Sequence, residues 1–209
     1  MADQMRIPPL NIHRMIVEIE GLSPLIVHAW SEKAKAEMRD KQQKKAKQAK
    51  EAKDPEGDYQ RSKYRHKDGW EGFLAIGLKN AAVTACTSVE GITKVAARQA
   101  FHVWGIEDKE LIRIEGAQAE MREDMVRIGM GTADLRYRAQ YKEWSAKFAV
   151  DYNANALSPE QIVNLFNNAG FGVGIFEWRP ERDGRYGLFR VKSVDGQAIS
   201  GGQWGQPGS

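Results

Sequence analysis

The chain has 209 residues, of which 42% are hydrophobic and 28% charged, and its formal net charge is +3. This length suits one domain with insertions, and the composition excludes a wholly disordered chain. A single cysteine, Cys86, excludes an internal disulfide framework. No apolar run approaches the roughly 20 residues of a membrane span, and the start MADQMRIPPL lacks a signal-peptide pattern. We therefore expect one cytoplasmic α+β domain over residues 1–199, without a membrane partner.

Alternating apolar side chains predict strands near the N-terminus. Residues 11–21 alternate around Met15, Val17 and Ile19, and the run PLIVHAW, residues 24–30, predicts a second short strand after a turn signal. Further along, residues 70–89 have helical spacing, and residues 90–103 predict a second helix-like piece. We expect both helices to pack against the hydrophobic core.

Residues 31–68 form a basic insertion with thirteen Lys/Arg and eight acids. Its first part, residues 31–53, consists of helix formers with almost no apolar stripe, and the turn residues 54–57 end it. The centre, residues 41–50, holds five lysines and no acid; the candidates there are Lys41, Lys44, Lys45 and Lys47. This Lys-rich arm could clamp a phosphate backbone, although charge runs are more often solvated helices laced with ion pairs.

The second half of the chain predicts a hairpin, a core strand, a helix and two closing strands. Short strands at 109–117 and 118–129 lead through the turn GMGTAD into a long hairpin, residues 117–145, that closes into a core strand. The helix 158–169 has Ser158 as cap, and Gly170 is expected to stop it. The segments GFGVGIFEW and YGLFRVKSV then predict two strands joined by the polar loop RPERDG, before a disordered tail over residues 200–209.

With arm and hairpin set aside, the order of elements is strand, helix, strand, strand, helix, strand. This order is typical of the ferredoxin-like (RRM-like) split βαβ core, an antiparallel sheet with two helices on one face. The predicted fold is therefore α+β and ferredoxin-like, with a Lys-rich helical insertion and a long β-hairpin.

The glycine-rich stretch after the last helix is the most informative segment for function. Gly172 and Gly174 permit close backbone approach, and Arg179, Arg182 and Arg185 follow within a few residues. Four aromatic residues are interleaved with them: Phe176, Trp178, Tyr186 and Phe189. Glycine amides, arginines and aromatic faces together suit a single-stranded nucleic-acid surface. Equally, the glycines could shape a tight loop and the arginines could pair with nearby acids.

A second cluster of basic and aromatic residues lies in the predicted hairpin. Arg136 and Arg138 accompany Tyr137, Tyr141 and Trp144. An exposed hairpin face explains this pattern as well as a nucleic-acid contact does.

The glycine-rich segment and the long hairpin resemble features of the repeat-associated mystery protein (RAMP) superfamily. Its members have ferredoxin-like cores, a glycine-rich loop after the last core helix and a nucleic-acid-contacting thumb. The corresponding residues here are Gly172, Gly174, Gly184 and Gly187, with residues 117–145 as the thumb. Residues 144–191 also resemble uncharacterised tailed-bacteriophage proteins, and this likeness implies a viral source and the cytoplasm of a host cell.

Signals for catalysis are weak. The four histidines, His13, His28, His66 and His102, lack the paired spacing of a metal site, and one cysteine excludes a thiolate zinc site. His28 could serve as the general base of a metal-independent ribonuclease, but a packed or surface histidine is the commoner case. We expect no cofactor, no metal and no enzyme.

The leading hypothesis is a non-catalytic, phage-encoded protein that binds single-stranded RNA or DNA, with possible assembly into a homo-oligomer. It requires cations and backbone amides from arm, hairpin and glycine-rich loop to converge on one side of the sheet. The alternative is a phage structural or host-interaction protein that acts through protein-protein contacts.

Overall fold

The computed structural model describes residues 9–29, 39, 42–43, 53–116, 118–128 and 131–199. The candidates Lys41, Lys44, Lys45 and Lys47, most of the predicted arm helix, and the predicted tail lie outside these residues.

The described residues form a mixed α+β structure with antiparallel sheets. The strands are β1 (Ile12–Gly21), β2 (Leu25–Val27), β3 (Tyr64–Arg65), β4 (Glu71–Leu74), β5 (Phe101–Gly105), β6 (Leu111–Gly116), β7 (Glu120–Ile128), β8 (Thr132–Tyr141), β9 (Trp144–Asn153), β10 (Phe189–Val194) and β11 (Gln197–Ala198). The helices are α1 (Pro55–Arg61), α2 (Ala75–Ala85), α3 (Lys94–Ala100) and α4 (Pro159–Gly172), and Pro180–Arg182 form a short 3-10 helix.

The larger sheet is built around the long strand β9. Its order is β11-β10-β1-β9-β6-β4-β3, and β5 pairs with β9 on the same edge as β6. Every recorded strand pair is antiparallel. Its central part therefore has the order β10-β1-β9-β5.

Helices α2 and α4 cover one face of this sheet. Alternate residues of the central strands, among them Val17, Phe148 and Val191, are buried in a common core with Leu78 of α2 and Phe166 of α4. The Phe166 ring lies 5.3 Å from Phe148 and 6.0 Å from Phe101, centroid to centroid. Burial of this apolar face is the main stabilising contribution to the sheet.

The opposite face of the sheet carries cross-strand ion pairs. Arg14 donates two hydrogen bonds to Asp151, at 2.6 and 2.8 Å. Lys192 bonds Glu18, and Arg190 bonds Glu20, across the β1–β10 pair. The cations of this face are thus neutralised by neighbouring carboxylates.

The predicted capping of helix α4 is confirmed, but its predicted end is wrong. Ser158 and Gln161 form a reciprocal capping box, and Pro159 occupies the first turn. The helix runs past Gly170 to Gly172. Gly170 has a packing role instead: a Cβ there would lie 1.9 Å from the carbonyl oxygen of Phe189. Only glycine therefore lets the helix lie this close to β10.

Three other local predictions are corrected. Residues 54–57, predicted as a turn, begin a helix: Asp54 caps α1 by accepting a hydrogen bond from the Gly57 amide, and Pro55 follows it. Within the predicted helices, Phe73 belongs to strand β4 and Phe101 to strand β5. Short apolar runs have no periodicity that separates helix from buried strand, which explains these errors.

Residues 170–178 are not a strand. They contain the end of α4 and the start of an irregular loop that runs to β10.

The hairpin prediction is confirmed, since β7 and β8 pair over nine consecutive positions. Strand β2 joins them in a separate three-stranded sheet of order β2-β8-β7. Among the described residues, no helix is long and apolar enough to cross a membrane.

Candidate nucleic-acid interface

The loop between α4 and β10, residues 173–188, is held by backbone hydrogen bonds at several points. The Ile175 amide donates to the carbonyl of Gly187, and the Gly187 amide donates to Pro24. The Glu177 amide donates to Ile26 of the small sheet. We call residues 173–188 the docked loop, because these bonds fix it against the segment that enters β2.

The glycines of the docked loop allow close packing rather than supply free amides. The amides of Gly174, Gly184 and Gly187 donate to Ala169, Arg179 and Pro24. A Cβ on Gly184 would lie 1.8 Å from the Trp178 carbonyl oxygen, and one on Gly187 would lie 2.0 Å from that of Ile175. Gly172 is different, because a Cβ there meets nothing within 4 Å. The expectation that these glycines expose their amides is therefore not met at these three positions.

Three non-glycine residues of the docked loop adopt a left-handed backbone. Phe176 has φ 63°, Trp178 has φ 54° and Asp183 has φ 58°. Each such conformation costs about 1–2 kcal/mol for a residue with a Cβ. The surrounding hydrogen bonds must compensate for this cost, so the loop has a defined shape.

Arg179 is tied into the docked loop. Its Nε and Nη2 bond the Glu181 carboxylate at 2.9 and 2.7 Å, and its Nη1 bonds the Phe176 carbonyl at 2.9 Å. All the contacts recorded for its guanidinium are within the loop. The structure thus gives Arg179 a structural role.

Arg182 and Arg185 are exposed on the same loop. Within the part of the chain that the structure describes, no carboxylate forms an ion pair with either side chain. Trp178 lies between Gly174 and these arginines in sequence and is 40% exposed. Two other aromatic candidates do not offer a free ring face for stacking. Phe189 is buried, and Phe176 packs on Phe73 with ring centroids 5.3 Å apart.

Arg138 is buried at the contact between hairpin and docked loop. Its side chain is 3% exposed and lies 3.2 Å from Asp124 and 3.4 Å from Glu177. Its Nε has no hydrogen-bond partner among the described residues. A side chain in this position cannot reach a phosphate, so the assignment of Arg138 to a nucleic-acid contact is not supported by its geometry.

A second contact joins hairpin and docked loop. Arg122 of β7 donates to the Tyr186 hydroxyl at 3.2 Å, and its guanidinium carbon lies 4.8 Å from the centre of the Tyr186 ring. It also bonds Asp124 at 2.8 Å. Sequence reasoning missed Arg122, since a strand reading EMREDMV gives no signal for a partner 64 residues away.

Arg136 remains accessible on this hairpin face. It precedes Arg138 by two residues on β8, so both side chains lie on the same side of the small sheet. Its only recorded ion-pair contact among the described residues is Asp134 at 4.0 Å, and its side chain is 39% exposed. Of the three segments expected to converge, the hairpin and the docked loop therefore meet. Arg136, Arg182 and Arg185 are the candidate cations on them that remain accessible to a ligand.

His28 lies near the same arginines. Its burial lowers the pKa of the imidazole, and the positive charges of Arg138 and Arg136 lower it further. Both effects favour the uncharged form of the ring. In the described ranges, no group of three or more histidine, cysteine, aspartate or glutamate side chains could hold a metal ion.

Comparison with known proteins does not assign a family. No protein-family model matches the chain, and no curated protein matches it. The candidate interface is consequently judged on its geometry alone.

Proposed function

We propose that this chain is a non-catalytic protein that binds single-stranded nucleic acid through the exposed side of its docked loop. The observation that carries the proposal is the group of Trp178, Arg182 and Arg185 on a loop of fixed shape. Arginines bind the phosphate backbone, and an exposed indole offers a stacking face to an unpaired base. Neither contact requires a particular base, so we expect little sequence preference.

The central strand order supports a ferredoxin-like core as part of this proposal. In the order β10-β1-β9-β5, the first and third core strands are neighbours in the middle, and the second and fourth lie outside. Helices follow the first and third strands, as a split βαβ arrangement requires. This core places the docked loop at the end of α4, beside the hairpin.

Arg136 extends the proposed surface onto the hairpin. Because Arg138 bonds Glu177 of the docked loop, Arg136, two residues away on the same strand face, lies near the loop. A strand that crosses from loop to hairpin would meet Arg182, Arg185 and Arg136. The Lys-rich arm, with Lys41, Lys44, Lys45 and Lys47, lies outside the described residues and stays a candidate extension of this surface.

The proposal is tested by fluorescence anisotropy of labelled single-stranded DNA and RNA oligonucleotides at several salt concentrations. The affinity should fall as salt rises, with a slope of about −0.7 per phosphate contact in a plot of log K against log salt. Replacing Arg182 and Arg185 by Gln should weaken binding and reduce the slope by about 1.4.

The matched control is Lys94→Gln with Arg98→Gln on helix α3. It removes the same charge, but α3 shares a groove with Gln161, Asn164 and Asn168 of α4, all of which precede the docked loop. The control should keep the wild-type slope. Binding that does not change with salt, or equal losses in both double variants, would contradict the proposal.

A protein-protein role is the second candidate, and the exposed apolar side chains of the hairpin favour it. Met121, Met125 and Leu135 are 50%, 71% and 39% exposed on one face of the small sheet. Under this reading the phage protein acts by contact with another protein, and nucleic-acid affinity stays undetectable at low salt.

A further inference from the structure

Strand β7 is an uncovered edge. It is the last strand in the order β2-β8-β7, and across the described residues nothing pairs with its outer side. It spans nine residues and pairs with β8 without a register shift. Natural edge strands are usually protected by charged side chains, lysine above all, by proline, by a bulge or by short length. The sequence EMREDMVRI has neither proline nor lysine, and the two charges on its exposed face, Glu123 and Arg127, have opposite signs.

The exposed face of β7 alternates between apolar and charged side chains. Met121, Glu123, Met125 and Arg127 all point to one side of the strand and are exposed. Met125 lies directly opposite Leu135 of β8, so the two form an apolar pair in the middle of this face. Glu123 and Arg127 lie two residues to either side of Met125.

This pattern is complementary to itself. When two copies of β7 pair antiparallel with Met125 opposite Met125, Glu123 of each copy lies opposite Arg127 of the other. A row of four apolar side chains then crosses the interface, with Leu135 and Met125 from each copy. Opposite charges and apolar pairs directly across two strands each stabilise the pairing, and like charges would oppose it.

We propose that a second copy of this chain pairs with β7 along its outer edge, in the antiparallel register centred on Met125. The two small sheets become one six-stranded sheet. The interface is a two-fold one, in which each copy presents the same surface. Dimerisation of this kind depends on protein concentration. The inference stands apart from nucleic-acid binding, because Arg182 and Arg185 take no part in it.

Disulfide trapping tests the register directly. In this pairing the two Met125 Cα atoms lie about 4.5–5.5 Å apart, within the range that a disulfide spans. Met125→Cys should therefore form a covalent dimer when nuclease-treated full-length protein is oxidised with diamide. Met121→Cys is the matched control, since the two copies of residue 121 would lie about 27 Å apart. The native Cys86 is buried and does not interfere.

A charge exchange tests the same register without oxidation. Glu123→Arg alone and Arg127→Glu alone each place like charges opposite one another twice, and sedimentation should show dimerisation weakened about tenfold. The double variant Glu123→Arg/Arg127→Glu should recover wild-type dimerisation. Circular dichroism checks that each variant is folded.

Any of three outcomes would overturn the inference. The first is wild-type protein that stays monomeric at about 100 μM, well above the micromolar range of weak specific pairs. The others are equal crosslinking of the two cysteine variants, and a Glu123→Arg/Arg127→Glu variant that does not recover dimerisation. The Arg182→Gln/Arg185→Gln protein should dimerise like wild type. Its loss of oligonucleotide binding with intact dimerisation separates this inference from the proposed function.

Discussion

Two glycines in the last turn of helix α4 should respond in opposite ways to alanine. At Gly170 the added Cβ would lie 1.9 Å from the carbonyl oxygen of Phe189 and 2.8 Å from its carbon. At Gly172 the added Cβ meets no atom within 4 Å. Both residues are helical, so the intrinsic helix preference of alanine over glycine applies to both.

The expected free energies follow from these distances. Gly172→Ala should stabilise the protein by about 0.5 kcal/mol, less than the full helix-interior value because it is the last helical residue. Gly170→Ala must push α4 away from β10, and overpacking of this kind costs about 1–3 kcal/mol, which exceeds the propensity gain. For a chain of this size, 1 kcal/mol shifts the Tm by about 2–4 °C.

Thermal unfolding followed by circular dichroism measures both changes. The Tm of Gly170→Ala should fall by about 5 °C, and that of Gly172→Ala should rise by about 1–2 °C. Oligonucleotide binding should be unchanged in Gly172→Ala. Equal shifts in the two variants would refute the close approach of α4 to β10, and lost binding in Gly172→Ala would restore the role that the glycine pattern suggested for this residue.

Three further predictions concern the docked loop, the contact between this loop and the hairpin, and the face of the large sheet opposite the helices. Trp178→Ala should lower oligonucleotide affinity by about 1–3 kcal/mol, the usual contribution of one stacked base, and anisotropy measures it. Arg138→Ala should destabilise the fold by about 3 kcal/mol in urea unfolding, because it removes one of the two arginine partners of the buried Asp124 carboxylate. The exposed Arg136→Ala should cost less than about 0.5 kcal/mol. The hydrogen bonds from Arg14 lower the pKa of Asp151, so this carboxylate stabilises the fold above the unfolded-state pKa of about 3.9 and loses that effect as pH falls through its lower folded-state pKa. Asp151→Asn should therefore show a weaker loss of stability on acidification than wild type.

The sequence predicts those elements that local signals define. Helix α4 has a cap, a proline and an apolar stripe, and its start is found at the residue expected. Strand β1 and the hairpin have clear alternation. The helix start at residues 54–57 was missed because Asp-Pro is both a turn signal and the start of a helix, and only the bond from the Gly57 amide to Asp54 decides between them.

The course of the docked loop could not be predicted from local pattern. Residues 173–178 alternate like a strand, but the Glu177 amide bonds Ile26, and the Gly187 amide later in the loop bonds Pro24. These contacts arise only once the small sheet is in place. Likewise, the burial of Arg138 depends on Asp124 and Glu177, which come from two distant segments. Propensity and periodicity carry no information on such long-range partners.

The arginines of the docked loop show how backbone shape decides which cation is free. Arg179 begins the 3-10 helix, so the Glu181 carboxylate two residues later turns back onto its guanidinium. Arg182 ends that helix, and the left-handed Asp183 then turns the chain. The Glu181 carboxylate is thereby held by Arg179, and the Arg182 and Arg185 side chains stay exposed. Three arginines within seven residues thus divide into one that holds the loop together and two whose exposure the proposed phosphate contact requires.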